Sequence, residues 1–359
     1  MQSEHSKVLA VWLFAVAAMV FAMIVLGGVT RLTQSGLSMV NWHPVTGWLP
    51  PLEQAEWDKV FTDYRQSPEY RKINAGMSLD DFKSIFWVEY LHRLLGRLIG
   101  AAFFVPMVVF MFKGWIDRRL APKIVGLFIL GGLQGVLGWY MVKSGLVDRP
   151  DVSQYRLAAH LGLALAILAA MIWVALDLIR PEPQAAVSQT GLRRGAWGLL
   201  ALISVTALSG AFVAGLDAGH RYNTFPLMDG RLIPEGVFDL SPVYLNFFEN
   251  IATVQFDHRI LAISVLVLVG GFWWRAGGAQ LTGGQRRAVN ALAAMAVVQV
   301  GLGISTLVLV VPIPLAALHQ AGAVTLLGVA VWLAHEFRPP RQEKAPPVKS
   351  PASKKGVLT

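Results

Sequence analysis

The chain has 359 residues, of which 55% are hydrophobic and 15% charged, with a net charge of +9 and no cysteine. So few charges exclude an ordinary soluble domain, and the length allows several membrane spans rather than one anchor. Without cysteine there is no disulfide, iron–sulfur cluster or thiolate metal site. The basic residues lie in short loops between apolar runs, which is a membrane-orientation pattern and argues against nucleic-acid binding.

About 20 apolar residues cross a bilayer. The sequence therefore predicts eight spans, at about 8–28, 86–112, 122–142, 153–178, 196–216, 250–273, 287–310 and 314–336. Met1–Lys7 is too short and polar to be a cleaved leader, so the first span is expected to stay. Lys113, Arg118, Arg119 and Lys123 follow the second span; Arg180, Arg193 and Arg194 the fourth; Arg275, Arg286 and Arg287 the sixth. A tail with Arg338, Arg341, Lys344, Lys349, Lys354 and Lys355 follows the eighth. All lie on one side, expected to be the cytoplasm, with both termini there. Two long outer loops remain, 29–85 and 217–249. The first is expected to hold short interfacial helices, with Ser78-Leu-Asp-Asp81 as a helix start. The Pro- and Lys-rich tail, 337–359, reads as disordered.

Four histidines, His92, His160, His258 and His319, stand early in the second, fourth, sixth and eighth spans, hence near the outer face. Ionisable groups in a bilayer are costly and mark function. The halves also repeat. Glu89-Tyr-Leu-His-Arg93 answers Gln255-Phe-Asp-His-Arg259, and Leu157-Ala-Ala-His160 answers Leu315-Ala-Ala-Leu-His319. The expected fold is an all-α integral membrane protein with eight transmembrane helices, arranged as two tandem, pseudo-two-fold related four-helix bundles, 1–180 and 181–336. Each would hold one histidine pair. Two nitrogens per bundle suit the axial positions of a haem better than a four-ligand zinc site.

The repeat breaks at Glu89, three residues before His92 and on its helix face; the counterpart before His258 is the neutral Gln255. A carboxyl group can exchange protons, so the first site reads as reactive and the second as redox-only. Glu89 could instead anchor a hydrogen bond or pair with Arg93. Arg93 and Arg259 each follow a histidine and could pair with haem propionates or snorkel to the interface. Gln134 and Gln299 are expected to bond helix to helix, and the glycines of the third and seventh spans to allow close packing or to leave room for a macrocycle. His5, His43, His220 and His335 read as surface or loop-structuring residues.

These features, together with the Gly27-Gly-Val-Thr-Arg-Leu-Thr-Gln-Ser-Gly36 exit from the first span, resemble the haem A synthase family over about 8–336. The absence of cysteine matches its longer branch in proteobacteria and mitochondria. The resemblance implies oxidation of a methyl group of haem O to a formyl group by successive hydroxylations, giving haem A for terminal oxidases. It implies haem O as substrate between His92 and His160, one haem b cofactor between His258 and His319, and Glu89 as the catalytic carboxylate. It places the chain in the bacterial inner membrane, and its pathway suggests the farnesyltransferase that makes haem O and oxidase assembly factors as partners. Self-association stays open. Bis-histidine ligation disfavours oxygen binding at the substrate iron, so water is expected to donate the oxygen. The rival readings are a quinone-linked di-haem electron-transfer cytochrome and a haem transporter or chaperone.

Overall fold

The computed structural model describes residues 4–42, 46–146, 152–180 and 190–339. The chain is an all-α integral membrane protein: eight of its described helices are long and apolar enough to cross a membrane. They are α1 (Glu4–Leu32), α4 (Leu79–Phe112), α5 (Ala121–Gly145), α6 (Gln154–Ile179), α7 (Thr190–Gly215), α9 (Ile251–Gly277), α10 (Gly283–Val308) and α11 (Ile313–Glu336). The shorter α2 (Gln54–Arg65), α3 (Pro68–Lys72) and α8 (Asn246–Glu249) lie in the two long loops.

Local chemistry sets several helix starts. Ser78 and Thr282 close capping boxes with Asp81 and Gln285, and Asn250 accepts from the N–H groups of Ala252 and Thr253. Each satisfies backbone donors that a helix leaves without partners in its first turn. Ser78 is the helix start that the sequence predicts, and the helix it begins is the second span itself, because α4 runs unbroken from Leu79. The extra turns carry Phe82, Phe86 and Tyr90, which pack with Trp57 and Tyr64 of α2 into a small aromatic core. Likewise α1 continues to Leu32, so the Gly27–Arg31 segment is helical rather than an exit.

In the N-terminal half, α1 packs on α4 and α6, α5 packs along α6, and α5 meets α4 only lightly. In the C-terminal half, α7 packs on α9 and α11, and α10 packs on both α9 and α11. The halves meet where α6 lies on α7 and α11 and where α1 lies on α11. The main core, including Leu13, Val16, Ile124, Ala175, Leu292 and Leu333, is drawn from all eight spanning helices. It lies toward the end of the bundle that carries the chain termini. The histidines therefore occupy the less filled end. Of the expected tail, 337–359, Phe337 is buried in the main core and Arg338 bonds to His335 and Arg180, so these two residues are ordered against expectation; residues 340–359 lie outside the described residues.

Candidate functional site

Each of the four histidine rings rests on a glycine of another helix. A Cβ added to Gly27 of α1 would lie 3.3 Å from His92 Nε2, and one on Gly138 of α5 would lie 3.0 Å from His160 Cε1. In the other half, Gly210 of α7 and Gly303 of α10 would come within 3.2 and 2.8 Å of His258 and His319 Cε1. A side chain at Gly303 would force the His319 imidazole to shift, and one at Gly27, Gly138 or Gly210 would press on its ring tightly enough to move it by a few tenths of an ångström. Gly131, Gly132, Gly135 and Gly301, by contrast, face open space.

His258 and His319 face each other with ring centres 6.5 Å apart and planes at 89°. Among the described residues, no group of three or more His, Cys, Asp or Glu converges to hold a metal ion. Among the described residues the histidines thus belong to no three- or four-ligand cluster of the kind a structural metal ion takes.

Three of the four rings are held through Nδ1. Ser209 Oγ lies 2.8 Å from His258 Nδ1 and donates to Thr206 O, so it accepts from Nδ1–H and leaves Nε2 with a free lone pair. Gln134 Nε2 lies 3.2 Å from His160 Nδ1 and donates to His160 O. Gln299 Nε2 lies 3.1 Å from His319 Nδ1 and donates to His319 O. The two glutamines thus bond between helices, and the partner in each case is a site histidine. Gln and Gly stand one turn apart on the same helix, Gln134 with Gly138 and Gln299 with Gly303, so one helix face clasps the ring from two sides. Among the described residues, no hydrogen bond reaches the His92 ring.

Glu89 and Gln255 sit in opposite hydrogen-bonding shells. Glu89, 2% exposed, accepts at Oε2 from Ser38 Oγ and from the Met39 N–H, both at 2.7 Å. Its Oε1 accepts from Arg93 Nε at 3.0 Å. Gln255, equally buried, donates instead through Nε2 to Ala218 O at 2.9 Å. Each accepts from the arginine four residues on, Gln255 Oε1 from Arg259 at 3.4 Å, but donors face the other oxygen of the carboxylate whereas a carbonyl faces the amide nitrogen. The arginines that follow brace the loops in matching ways. Arg93 donates to Met39 O and Asn41 O, and Arg259 to Tyr222 O and Thr224 O.

At the other end of the bundle, one histidine departs from expectation. His335 is fully buried, not a surface residue. It contacts Asp177 Oδ1 through Nε2 at 3.1 Å, and Arg338 donates to its Nδ1 at 2.8 Å. Asp177, on a different helix, supplied no sequence signal for this burial. His5 is exposed and stacks on Trp115 with centroids 4.4 Å apart, and His220 is exposed. His43 lies outside the described residues. Ser38, Ser209 and Gly27 gained their importance only from packing. Gly27 was visible in the sequence as part of a glycine-rich segment, but the ring it seats was not.

Comparison with known proteins adds an independent line. A family described as COX15-CtaA, cytochrome oxidase assembly protein, matches residues 10–331. A Nitrosospira multiformis protein named heme A synthase is 56% identical over 334 residues, covering 92% of this chain and 94% of that relative. Proteins named heme A synthase COX15 from Arabidopsis thaliana and Bos taurus are both 47% identical, covering 94% and 92% of this chain and 76% and 82% of the relatives.

Proposed function

The chain belongs to the COX15-CtaA family of cytochrome oxidase assembly proteins, and on that premise we propose that it is a haem A synthase. It oxidises a methyl group of haem O to the formyl group of haem A. His92 and His160 hold the substrate iron, and His258 and His319 hold haem b. The sites lie near the outer face of the inner membrane, with both termini in the cytoplasm.

The observation that carries this reading is the contrast between two similar sites. Both offer paired imidazoles seated on glycines. At the second, the spacing of His258 and His319 leaves room for one metal ion between two imidazole nitrogens at about 2 Å each, so these two residues would hold the iron of haem b. Only the first has a carboxylate, Glu89, at the position three residues before its histidine, held in a shell of donors where the second has Gln255. When bound, haem b supplies a one-electron carrier for electrons withdrawn from the substrate.

Each hydroxylation of the methyl carbon takes its oxygen from water and releases two protons and two electrons, which pass one at a time through the C-terminal half to an oxidant outside the chain, an electron acceptor of the respiratory membrane. The doubly hydroxylated carbon then loses water to give the aldehyde. Glu89 is the group positioned to accept a proton, one helix turn from His92. Ser38, the Met39 amide and Arg93 fix the orientation of its carboxylate. Gln255 cannot take that role, and its half is left with electron transfer alone.

The test is to co-express the chain with a source of haem O in a host lacking haem A, then identify the extracted haems by mass. Haem A, or its hydroxylated precursor, is expected, carrying label from ¹⁸O-water. Glu89→Gln should accumulate haem O. Unchanged haem O beside folded, haem b-loaded wild-type protein would move the assignment to an electron-transfer cytochrome. Label arriving directly from dioxygen would overturn the water route.

A further inference from the structure

Resting on that reading, we infer that the two haem sites are built for opposite lifetimes, and that His92 is the displaceable ligand through which the substrate haem enters and the product leaves. His160 is the fixed ligand of that site.

A histidine that binds a metal commonly has its second ring nitrogen engaged by a neighbouring group, which sets the ring's orientation and basicity. In the C-terminal half Ser209 accepts from His258 Nδ1–H, the polarity a metal-binding Nε2 requires, and the Gln299 amide lies against the His319 ring. In the N-terminal half the Gln134 amide lies against the His160 ring, and among the described residues no hydrogen bond reaches the His92 ring.

The difference has a definite origin in α1 and α7. The two helices correspond position by position. Gly27 and Gly210 each seat the histidine of the following spanning helix. Gln34 and Asp217 each take a left-handed backbone, with φ of 52° and 50°. Met39 and Tyr222, and Asn41 and Thr224, offer their carbonyls to the equivalent arginines. The same sequence interval separates the members of every pair. On that register Leu26 stands where Ser209 stands, and an isobutyl group cannot engage an imidazole nitrogen. The helix that clamps His258 therefore offers His92 only a glycine seat.

The lighter packing of α5 on α4 points the same way. It leaves the helix carrying His92 less constrained beside the helix that clamps His160, whereas α9 and α10 are packed more closely.

The test follows haem transfer from purified, doubly loaded protein to an excess of a haem-scavenging apoprotein, with haem O and haem b separated by chromatography. Haem O is expected to leave at least tenfold faster than haem b. Leu26→Ser, which supplies the missing hydroxyl, should slow haem O release by about tenfold, the lower end of the effect of such neighbouring groups, and leave haem b release unchanged. His92→Ala should retain haem O as a five-coordinate, high-spin species, and His160→Ala should lose it. Equal release of the two haems, or haem O retained without His160 but lost without His92, would overturn the inference while haem A formation by the wild-type protein still upheld the function. Failure to find haem O in the N-terminal half at all would overturn both.

Discussion

Gln320 Nε2 donates to Ile24 O at 3.0 Å, across the boundary between the two halves of the chain. Its carboxamide lies over Gly28, where any Cβ would collide with it. Gln320 follows His319, and Gly28 follows Gly27, on which His92 rests. One turn of α1 thus touches both histidine sites.

This contact makes the two residues energetically coupled. Gly28→Ala should destabilise the protein by about 1–3 kcal/mol, as overpacking does. Gln320→Ala alone should cost about 1 kcal/mol for the lost hydrogen bond. The double variant should be more stable than Gly28→Ala, because the shortened side chain makes room for the methyl group. Unfolding midpoints in detergent measure all three. Strict additivity would show that residues 28 and 320 do not act as a unit.

Ser38 is expected to matter for turnover rather than for haem binding. Its hydroxyl donates to Glu89 Oε2, and no histidine depends on it. A hydrogen bond to a charged group contributes about 1.5–3 kcal/mol. If half of that acts on the orientation of the carboxylate in the transition state, Ser38→Ala lowers haem A formation about tenfold or less. Haem b content and its low-spin spectrum should stay at wild-type levels. Loss of haem b in this variant would mean that Ser38 supports the fold, not the carboxylate.

Much of this architecture is legible in the sequence because hydrophobic length is a strong signal. All eight predicted spans coincide with spanning helices to within about a turn or two at each end. The repeat around Glu89 and Gln255 is visible because both residues stand three before a histidine. The shells around them are not visible, because Ser38 and Ala218 reach their partners by folding of the long loops. Nor is the role of Gln134 and Gln299 beyond interhelical bonding, since which ring a glutamine meets depends on how helices pack sideways. His335 was misread for the same reason. Its place at a helix end suggested exposure, and burial comes from α6, which brings Asp177.

Tyr64 gives the histidine-side loop a dependence on alkaline pH. It is fully buried, stacks on Phe82 with centroids 4.9 Å apart and accepts from Asn74 Nδ2 at 2.8 Å. Burial raises its hydroxyl pKa above the ordinary tyrosine value, against a smaller opposing effect of Asn74. A raised folded-state pKa means that the folded form holds the proton more tightly. Its contribution to stability is complete below the unfolded value of about 10 and is lost as pH rises beyond it. Fluorescence of Trp57, in the same aromatic core, should report loosening above that pH. Tyr64→Phe should lower stability by about 1 kcal/mol near neutrality and remove the alkaline transition. An unchanged transition in Tyr64→Phe would assign it to another group.

The buried cluster at the opposite end should govern stability independently of the haem sites. Arginine can only donate, so the contact from Arg338 Nη1 requires His335 Nδ1 to accept, and Nε2–H then donates to Asp177. Asp177 also accepts from Lys123 Nζ at 2.9 Å, and Arg180 pairs with Glu336. The imidazole therefore joins α6 to α11 as both donor and acceptor, at the seam between the halves. His335→Phe keeps the ring volume but removes a partner from both Asp177 and Arg338. A loss of about 1–3 kcal/mol is expected, because Asp177 keeps Lys123 and Arg338 keeps its bonds to His335 O and Arg180 O while each loses the imidazole. His335→Gln, which retains one donor and one acceptor, should recover at least half of it. The site lies about 24 Å along α11 from His319, at 1.5 Å per residue, so haem content per folded protein should be unchanged in both variants. A Phe variant as stable as wild type would mean that apolar packing alone holds the seam, and a Phe variant that lost haem b while still folded would mean that the two ends of α11 are coupled.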